Sequence, residues 1–232
     1  MLQRALNKLP ITSITPFTFQ DYPEHTACIL WFSGCNMVCS YCHNPELVKG
    51  ELAKLPPQQV VEFLESRKGL LEGVVLSGGE CMMSTQLPEF ARYLKLLGYK
   101  IKVDTNGTNP DILAQMLGHG LIDYVALDFK APSNLFFSIT GYDGYASFDR
   151  SLALLVASGV GLEVRTTVHG DLLDEEDINA IIHRLEEVGF RGTYYVQNFR
   201  PGKTLGNLGN PFASFDLSRL SKPSFVVSTR NF

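Results

Sequence analysis

Trp31-Phe-Ser-Gly-Cys35-Asn-Met-Val-Cys39-Ser-Tyr41-Cys42-His43-Asn-Pro45 places three thiols within eight residues, directly after the apolar run Ala27 to Phe32. An apolar run that ends in a cysteine loop reads as a strand delivering a metal site at its carboxyl end. A four-iron cluster that only carries electrons takes four thiolates. Three ligands with no fourth nearby would leave one iron open for other chemistry. The competing reading is a structural zinc site with His43 completing a Cys3His set. Zinc knuckles usually draw ligands from two separated segments, whereas here every candidate crowds one loop, which favours iron.

Outward from that loop, apolar runs alternate with amphipathic segments. Ile11 to His25 lacks a helical period and reads as an extended leader or hairpin covering an edge of the first strand. Pro56-Pro57 opens a helix with Val60, Val61, Phe63 and Leu64 on one face. Strands follow at Gly73–Leu76, Lys100–Val103, Tyr124–Leu127, Leu162–Val168 and Thr193–Gln197. Helices are expected at Leu87–Leu97, at Asp111–Leu117 behind Asn109-Pro110, at Phe148–Ala157 after a polar loop from Ala131 to Tyr145, and at Glu175–Val188. Six strands alternating with five helices imply an α/β fold, a partial (β/α)6 barrel of parallel strands. With no repeat and no Pro/Gly/Ser-rich linker, residues 1–232 read as one domain: leader 1–25, partial barrel 26–198, and a mostly irregular tail 199–232 in which Phe225-Val-Val can pair as an edge strand.

Composition bounds the function. A hydrophobic content of 45% with 19% charged residues describes a soluble globular chain. A net charge of -4 with no basic run excludes general nucleic-acid binding, which needs clustered Lys and Arg. No run reaches the ~18 apolar residues of a membrane span and Met1 to Pro10 lacks a signal-peptide core, so a cytoplasmic location is expected. Five cysteines, three of them in one loop, suit a reducing compartment and a metal site better than disulfides. Cys28 reads as buried packing.

Reactive groups of a parallel-strand barrel lie past the carboxyl ends of its strands. Those ends carry the cysteine loop, Ser77-Gly78-Gly79-Glu80, Asp104-Thr105-Asn106-Gly107, Asp128-Phe129-Lys130, Arg165 with His169, and Gln197-Asn198. Taken singly, Gly-Gly-Glu is an ordinary turn, Asn106-Gly107 a tight turn and Lys130 a solvated side chain. Arg165 points inward only if Leu162, Val164 and Thr166 face the helices.

Set together, these segments resemble the radical S-adenosylmethionine family, whose signature Cys-x3-Cys-x2-Cys with an aromatic before the last cysteine is reproduced by Cys35, Cys39, Tyr41 and Cys42. Asp104-Thr-Asn-Gly, Asp128-Phe-Lys, Asp21-Tyr-Pro and Asn198-Phe-Arg-Pro-Gly-Lys-Thr-Leu resemble the family's glycyl-radical-enzyme activating subgroup. The resemblance implies a [4Fe-4S] cluster on the three cysteines and S-adenosylmethionine chelated to the fourth iron, cleaved on reduction to a 5'-deoxyadenosyl radical. It assigns Gly78, Gly79, Glu80 and Asp104 to the methionine amino end, Lys130 to its carboxylate and Arg165 to the ribose, while Tyr41 and His43 flank the last cysteine, where an aromatic ring and backbone groups can pack against adenine. Asp104, Thr105, Asp128 and the carbonyl of Ala126 would form a cation site of oxygen ligands. With the chemistry on the bound cofactor, no side chain is assigned as catalytic. The implied partners are a flavodoxin or ferredoxin as electron donor and, as target, an anaerobic ribonucleoside-triphosphate reductase. Pyruvate formate-lyase is the rival target, and a small-molecule reaction of the deazapurine synthase type the rival chemistry. One departure stands out: Cys81-Met-Met follows Gly-Gly-Glu where the family has Pro and a small or polar residue.

Overall fold

The computed structural model describes residues 6–232, so the first five residues of the expected leader lie outside it. The chain divides into two units. One holds the residues up to 36 together with 46–105 and 109–125, and the other holds 37–45, 106–108 and 126–232.

In the first unit the expected leader is a full strand, β1 (Ile11–Thr18), paired antiparallel with β2 (Ala27–Phe32) through Ile14↔Leu30 and Thr18↔Ala27. Strand β2 then pairs in parallel with β3 (Gly73–Gly78), Phe32 opposite Gly78, and β3 with β4 (Lys100–Thr105). Ala27, Cys28, Leu30 and Phe32 are fully buried and Ile29 nearly so. Both faces of β2 are thus covered, as a continuous apolar run requires in a parallel sheet. A short helix, α1 (Pro45–Lys49), not foreseen from sequence, follows the cysteine loop. Helix α2 (Pro57–Arg67) starts on Pro56-Pro57 and buries Val60 and Leu64. Helix α3 (Leu87–Leu96) buries Leu87, Phe90, Ala91 and Leu94, a period of three to four residues along one stripe. Helix α4 (Pro110–Gly118) begins where the Asn109 side chain accepts the Ile112 N–H, the expected cap.

In the second unit β5 (Tyr124–Asp128) runs into β6 (Gly161–Val168), β7 (Thr193–Asn198) and β8 (Val226–Arg230) in sequence order, with β6–β7 and β7–β8 parallel. The segment expected as a polar loop contains α5 (Phe136–Thr140), because Phe136 packs its ring against Tyr145 and Phe148. Helix α6 (Tyr145–Ser158) accordingly starts three residues earlier than its apolar period suggests. Helix α7 (Glu175–Glu187) is opened by a capping box between Asp174 and Asp177. Val164, Thr166 and Val168 are buried, which is the register that turns Glu163 and Arg165 to the opposite face of β6. Strand β8 realises the expected edge pairing of the tail. Among the described residues no helix is long and apolar enough to cross a membrane.

Candidate active site

The first unit builds its part from the ends of β2, β3 and β4. Gly78 has φ +125°, and a Cβ there would lie 2.2 Å from the Phe32 carbonyl oxygen; one on Gly79 would lie 2.0 Å from that of Gly34. The glycines permit a backbone contact in which the Gly79 N–H donates to Phe32 O and the Glu80 N–H to Gly34 O, each 2.8 Å. The backbone that needs this space is the chain entering Cys35, which Gly34 N also fixes by donating to Leu47 O at 2.6 Å.

Glu80 is buried, and its carboxylate accepts from Met82 N at 3.0 Å and from the Thr105 hydroxyl at 2.9 Å. Asp104 accepts from Lys102 Nζ at 2.5 Å and from the Ser77 hydroxyl at 2.9 Å. Lys102 is itself only 2% exposed, so this is a buried ion pair. Sequence reading missed Lys102 and Ser77 as site residues. Lys102 sits two residues before Asp104 on β4, hence on the same face, and that alternation was the available signal. Cys81 is buried with its thiol 3.7 Å from the carbonyls of Leu76 and Asp104. Burial, then the charges of Glu80 and Asp104, push that thiol well above its ordinary pKa. It is an inert packing cysteine, as is Cys28, which burial pushes up to about 12.

The second unit carries the remainder of the cysteine loop and the ends of β5 and β6. Cys39 is buried, Cys42 partly exposed, and Cys42 N donates to Cys39 O at 3.0 Å. Tyr41 points inward, its hydroxyl buried beside the Cys39 thiol without a partner of hydrogen-bond geometry. One face of the exposed His43 ring is stacked on Phe199, with centroids 5.5 Å apart. Asp128 lies between two cations, Lys130 Nζ at 3.0 Å and Arg165 Nε at 2.9 Å. Burial alone would raise its carboxyl, but Arg165 and then Lys130 outweigh that and hold it at about 2. Burial works against the charge on Lys130, yet Asp128 more than offsets this and moves its pKa up, so both stay ionised. Arg165 also reaches Glu163 at 3.7 Å, and Arg230 of β8 reaches Glu163 at 3.7 Å while lying over the Tyr195 ring. Glu163 and Arg230 carried no motif and were not foreseen. Asn106 forms the tight turn, accepting from Thr108 N and its hydroxyl, with Gly107 at φ +73°.

Of the four expected cation ligands, Ala126 and Thr105 are buried, Thr105 donates to Glu80, and Asp104 and Asp128 each already hold a side-chain cation. Among the described residues no group of three or more His, Cys, Asp and Glu side chains is gathered as a metal-ion set. The case for a cluster therefore rests on the loop spacing of the three thiols and on their softness as donors, which would suit iron–sulfur over hard cations. The unpartnered Tyr41 hydroxyl and the glycine-dependent anchoring of the chain into Cys35 fit a loop shaped to carry such a group.

Comparison with known proteins bears on these residues. The Radical SAM superfamily model matches residues 29–194. A Methanocaldococcus jannaschii protein, named provisionally as a glycyl-radical enzyme activating enzyme, is 30% identical over 203 residues, covering 84% of this chain and 81% of its own. The pyruvate formate-lyase-activating enzyme of Clostridium pasteurianum is 29% identical over 156 residues, 64% of each chain. Streptococcus suis SuiB bound to S-adenosylmethionine superposes with a TM-score of 0.62 at 16% identity, over 88% of this chain. The chain spans about half, 52%, of SuiB, and at that identity the likeness is one of fold. The α/β partial barrel of parallel strands expected from sequence is the fold that this likeness and the family match support.

Proposed function

This chain belongs to the radical SAM superfamily, and we propose that within it the protein activates a glycyl radical enzyme. Cys35, Cys39 and Cys42 would hold a [4Fe-4S] cluster, with S-adenosylmethionine bound alongside. Bound there, the reduced cluster would supply one electron for cleavage of S-adenosylmethionine, the adenosyl fragment leaving as 5'-deoxyadenosine with the hydrogen atom given up by a backbone glycine of the partner.

The observation that carries this reading is similarity to the M. jannaschii protein over 84% of the chain, within a Radical SAM superfamily match to residues 29–194. In the first unit Glu80 is held by Met82 N and the Thr105 hydroxyl, and Asp104 by Lys102 and Ser77. In the second, Lys130 and Arg165 both meet Asp128, and Arg165 also reaches Glu163 at 3.7 Å. The methionine end of S-adenosylmethionine offers one ammonium and one carboxylate. Carboxylates are the side chains that answer an ammonium, and Lys and Arg those that answer a carboxylate. Glu80 and Asp104 would orient the ammonium, and Lys130 and Arg165 the carboxylate, with Arg165 also within the expected reach of the ribose. The Gly78-Gly79 turn would hold the entry to Cys35. With Tyr41 turned inward, His43 is left as the side chain available to the adenine.

Activation of a protein, rather than a small-molecule reaction, is supported by similarity over 84% of the chain to the M. jannaschii protein. The remaining cysteines, Cys28 and Cys81, are buried, so this chain offers no second set for an auxiliary cluster. The segment Asn198 to Leu205 supports an anaerobic ribonucleoside-triphosphate reductase as target, with reduced flavodoxin or ferredoxin as donor. Similarity to the C. pasteurianum enzyme favours pyruvate formate-lyase as the second target to try. The test is anaerobic incubation of the reconstituted protein with S-adenosylmethionine, reductant and each candidate partner, read by EPR. A glycyl radical on the reductase is expected. A radical only on pyruvate formate-lyase would change the target, and deoxyadenosine released with a metabolite but no protein partner would overturn activation altogether.

A further inference from the structure

The segment Phe199–Gly209 follows β7 and has no regular structure, yet it is tied to the cysteine loop at several points. Leu205 N donates to Cys42 O at 2.9 Å and Gly206 N to Ser40 O at 2.7 Å. The Phe199 ring, 4% exposed, stacks on His43 of the loop and meets His169 at the end of β6 edge-on, with centroids 4.8 Å apart. His169 in turn is buried, its Nδ1 accepting from Asp171 N and its Nε2 facing Gly209 O at 3.2 Å. That pair of contacts selects the tautomer in which Nε2–H donates to the segment. Thr204 closes the turn: it is 2% exposed, its hydroxyl accepts from Leu208 N at 2.9 Å, and Asn207 takes a left-handed φ of +51°.

The fit at Gly206 is tight. A Cβ there would lie 2.6 Å from Ser40 Cβ and 3.0 Å from both Ser40 Cα and Ser40 O, so even alanine must push the segment or the loop aside. Gly202 in the same segment has nothing within 4 Å of such a Cβ. On its other side the loop is held by Val38 N donating to Thr140 O at 2.8 Å, at the end of α5. Residues 38–43 are thus gripped from both sides, while Cys39 and Cys42 themselves remain available as ligands.

We infer that Phe199–Gly209 is a brace that fixes the backbone of Ser40 to His43 so that Cys39 and Cys42 are presented for the cluster, with Gly206 and Phe199 as its positioning residues. The inference rests on the cluster being carried by Cys35, Cys39 and Cys42. A loop of this length without the brace would lose conformational entropy on taking up the cluster, and a preformed backbone removes part of that cost. Of the two positioning residues, Phe199 meets the loop with an apolar ring and Gly206 with bare backbone, so neither adds a ligand.

The test compares Gly206→Ala, Phe199→Leu and the control Gly202→Ala with the unaltered chain. In the metal-free protein, amide exchange at Leu205 and Gly206 should quicken roughly tenfold in Gly206→Ala, and less in Phe199→Leu, with Gly202→Ala unchanged. After anaerobic reconstitution, chelator should strip the visible absorption of Gly206→Ala severalfold faster, again with Gly202→Ala matching the unaltered chain. If Gly206→Ala does not fold, Phe199→Leu carries the same two measurements. Quickened exchange with unchanged cluster retention would overturn the brace, as would unchanged exchange. If the unaltered chain takes up no cluster, the functional reading fails, and slow exchange at Leu205 and Gly206 then decides separately whether the segment grips the loop.

Discussion

Two lysine–aspartate pairs, each spaced two residues apart, stand at strand ends in this chain, and they do opposite work. Lys102 and Asp104 on β4 are shut away, their side chains 2% and 16% exposed, and Ser77 fills the remaining acceptor position. Asp128 and Lys130 after β5 are more open, 28% and 21% exposed, and Arg165 brings a second cation to the same carboxylate. In the first pair the lysine neutralises a carboxylate that is largely shut away from water. In the second the acid holds two cations in place, one of which, Arg165, also reaches Glu163. An i, i+2 ion pair on a strand therefore says little by itself. The number of opposing charges, and whether water can reach them, separates an internal support from a binding group.

The largest expected effect concerns the cysteines. Cys35→Ala, Cys39→Ala and Cys42→Ala should each reduce iron after anaerobic reconstitution to background, whereas Cys28→Ala and Cys81→Ala should retain it. Metal analysis and the visible spectrum check this. Loss of iron in Cys81→Ala would make the acidic set of the first unit part of the ligand sphere, and the contrast drawn above would break.

Next comes the buried pair. Lys102→Met strands Asp104 without its cation and should cost about 3–5 kcal/mol of stability, because breaking a buried pair leaves an uncompensated charge. Changing Asp104→Leu in the same chain should recover most of that loss in urea unfolding. A single Lys102→Met variant as stable as the parent would show that the lysine is no support.

Asp128 gives a smaller, pH-dependent effect. Its folded pKa of about 2 lies below the ordinary 3.8, so its contribution is present above pH 3.8 and is lost as pH falls toward 2. The shift corresponds to about 2 kcal/mol at neutral pH. Asp128→Asn should be less stable than the parent by about that amount near pH 7, and the two curves should converge in acid. Curves that stay parallel across the acid range would mean that Lys130 and Arg165 do not hold the carboxylate as the geometry indicates.

Much of this molecule could be read before its structure. The continuous apolar run of β2 and the Pro-Pro and Asn-Pro helix starts depend on local chemistry, and each lies where expected. The leader strand and α5 were less legible because their apolar residues follow no clean period; each is held by a partner distant in sequence, Leu30 for β1 and Phe148 for α5. Arg165 could be assigned a face only conditionally, since one residue of register slip reverses every side chain on a strand. The ladder from Arg165 through Glu163 to Arg230 was invisible for the same reason: it joins β6 to β8 across β7, and no local pattern encodes that pairing. His43 was read toward the adenine, and nothing local announced that Phe199, 156 residues later, would cover one of its faces.

The mildest change sharpens the contrast most. Lys130→Met removes one of the two cations on Asp128 while Asp128 keeps its contact with Arg165 at 2.9 Å, so no acid is stranded and stability should fall far less than in Lys102→Met. If Lys130 serves the methionine carboxylate, S-adenosylmethionine should bind the reconstituted variant roughly tenfold more weakly, a loss of about 1.4 kcal/mol. The magnitude is modest because Arg165 remains to receive the same carboxylate, and an ion pair at a partly open site is weakened by water. Cluster content should be unchanged, since Lys130 contributes no ligand. Equilibrium binding followed by the spectral response of the cluster, set beside urea unfolding of both lysine variants, gives the decisive pattern. Weakened binding with near-parental stability for Lys130→Met, against lost stability for Lys102→Met, keeps the two pairs distinct. Undiminished binding in Lys130→Met would return Lys130 to the same supporting role as Lys102.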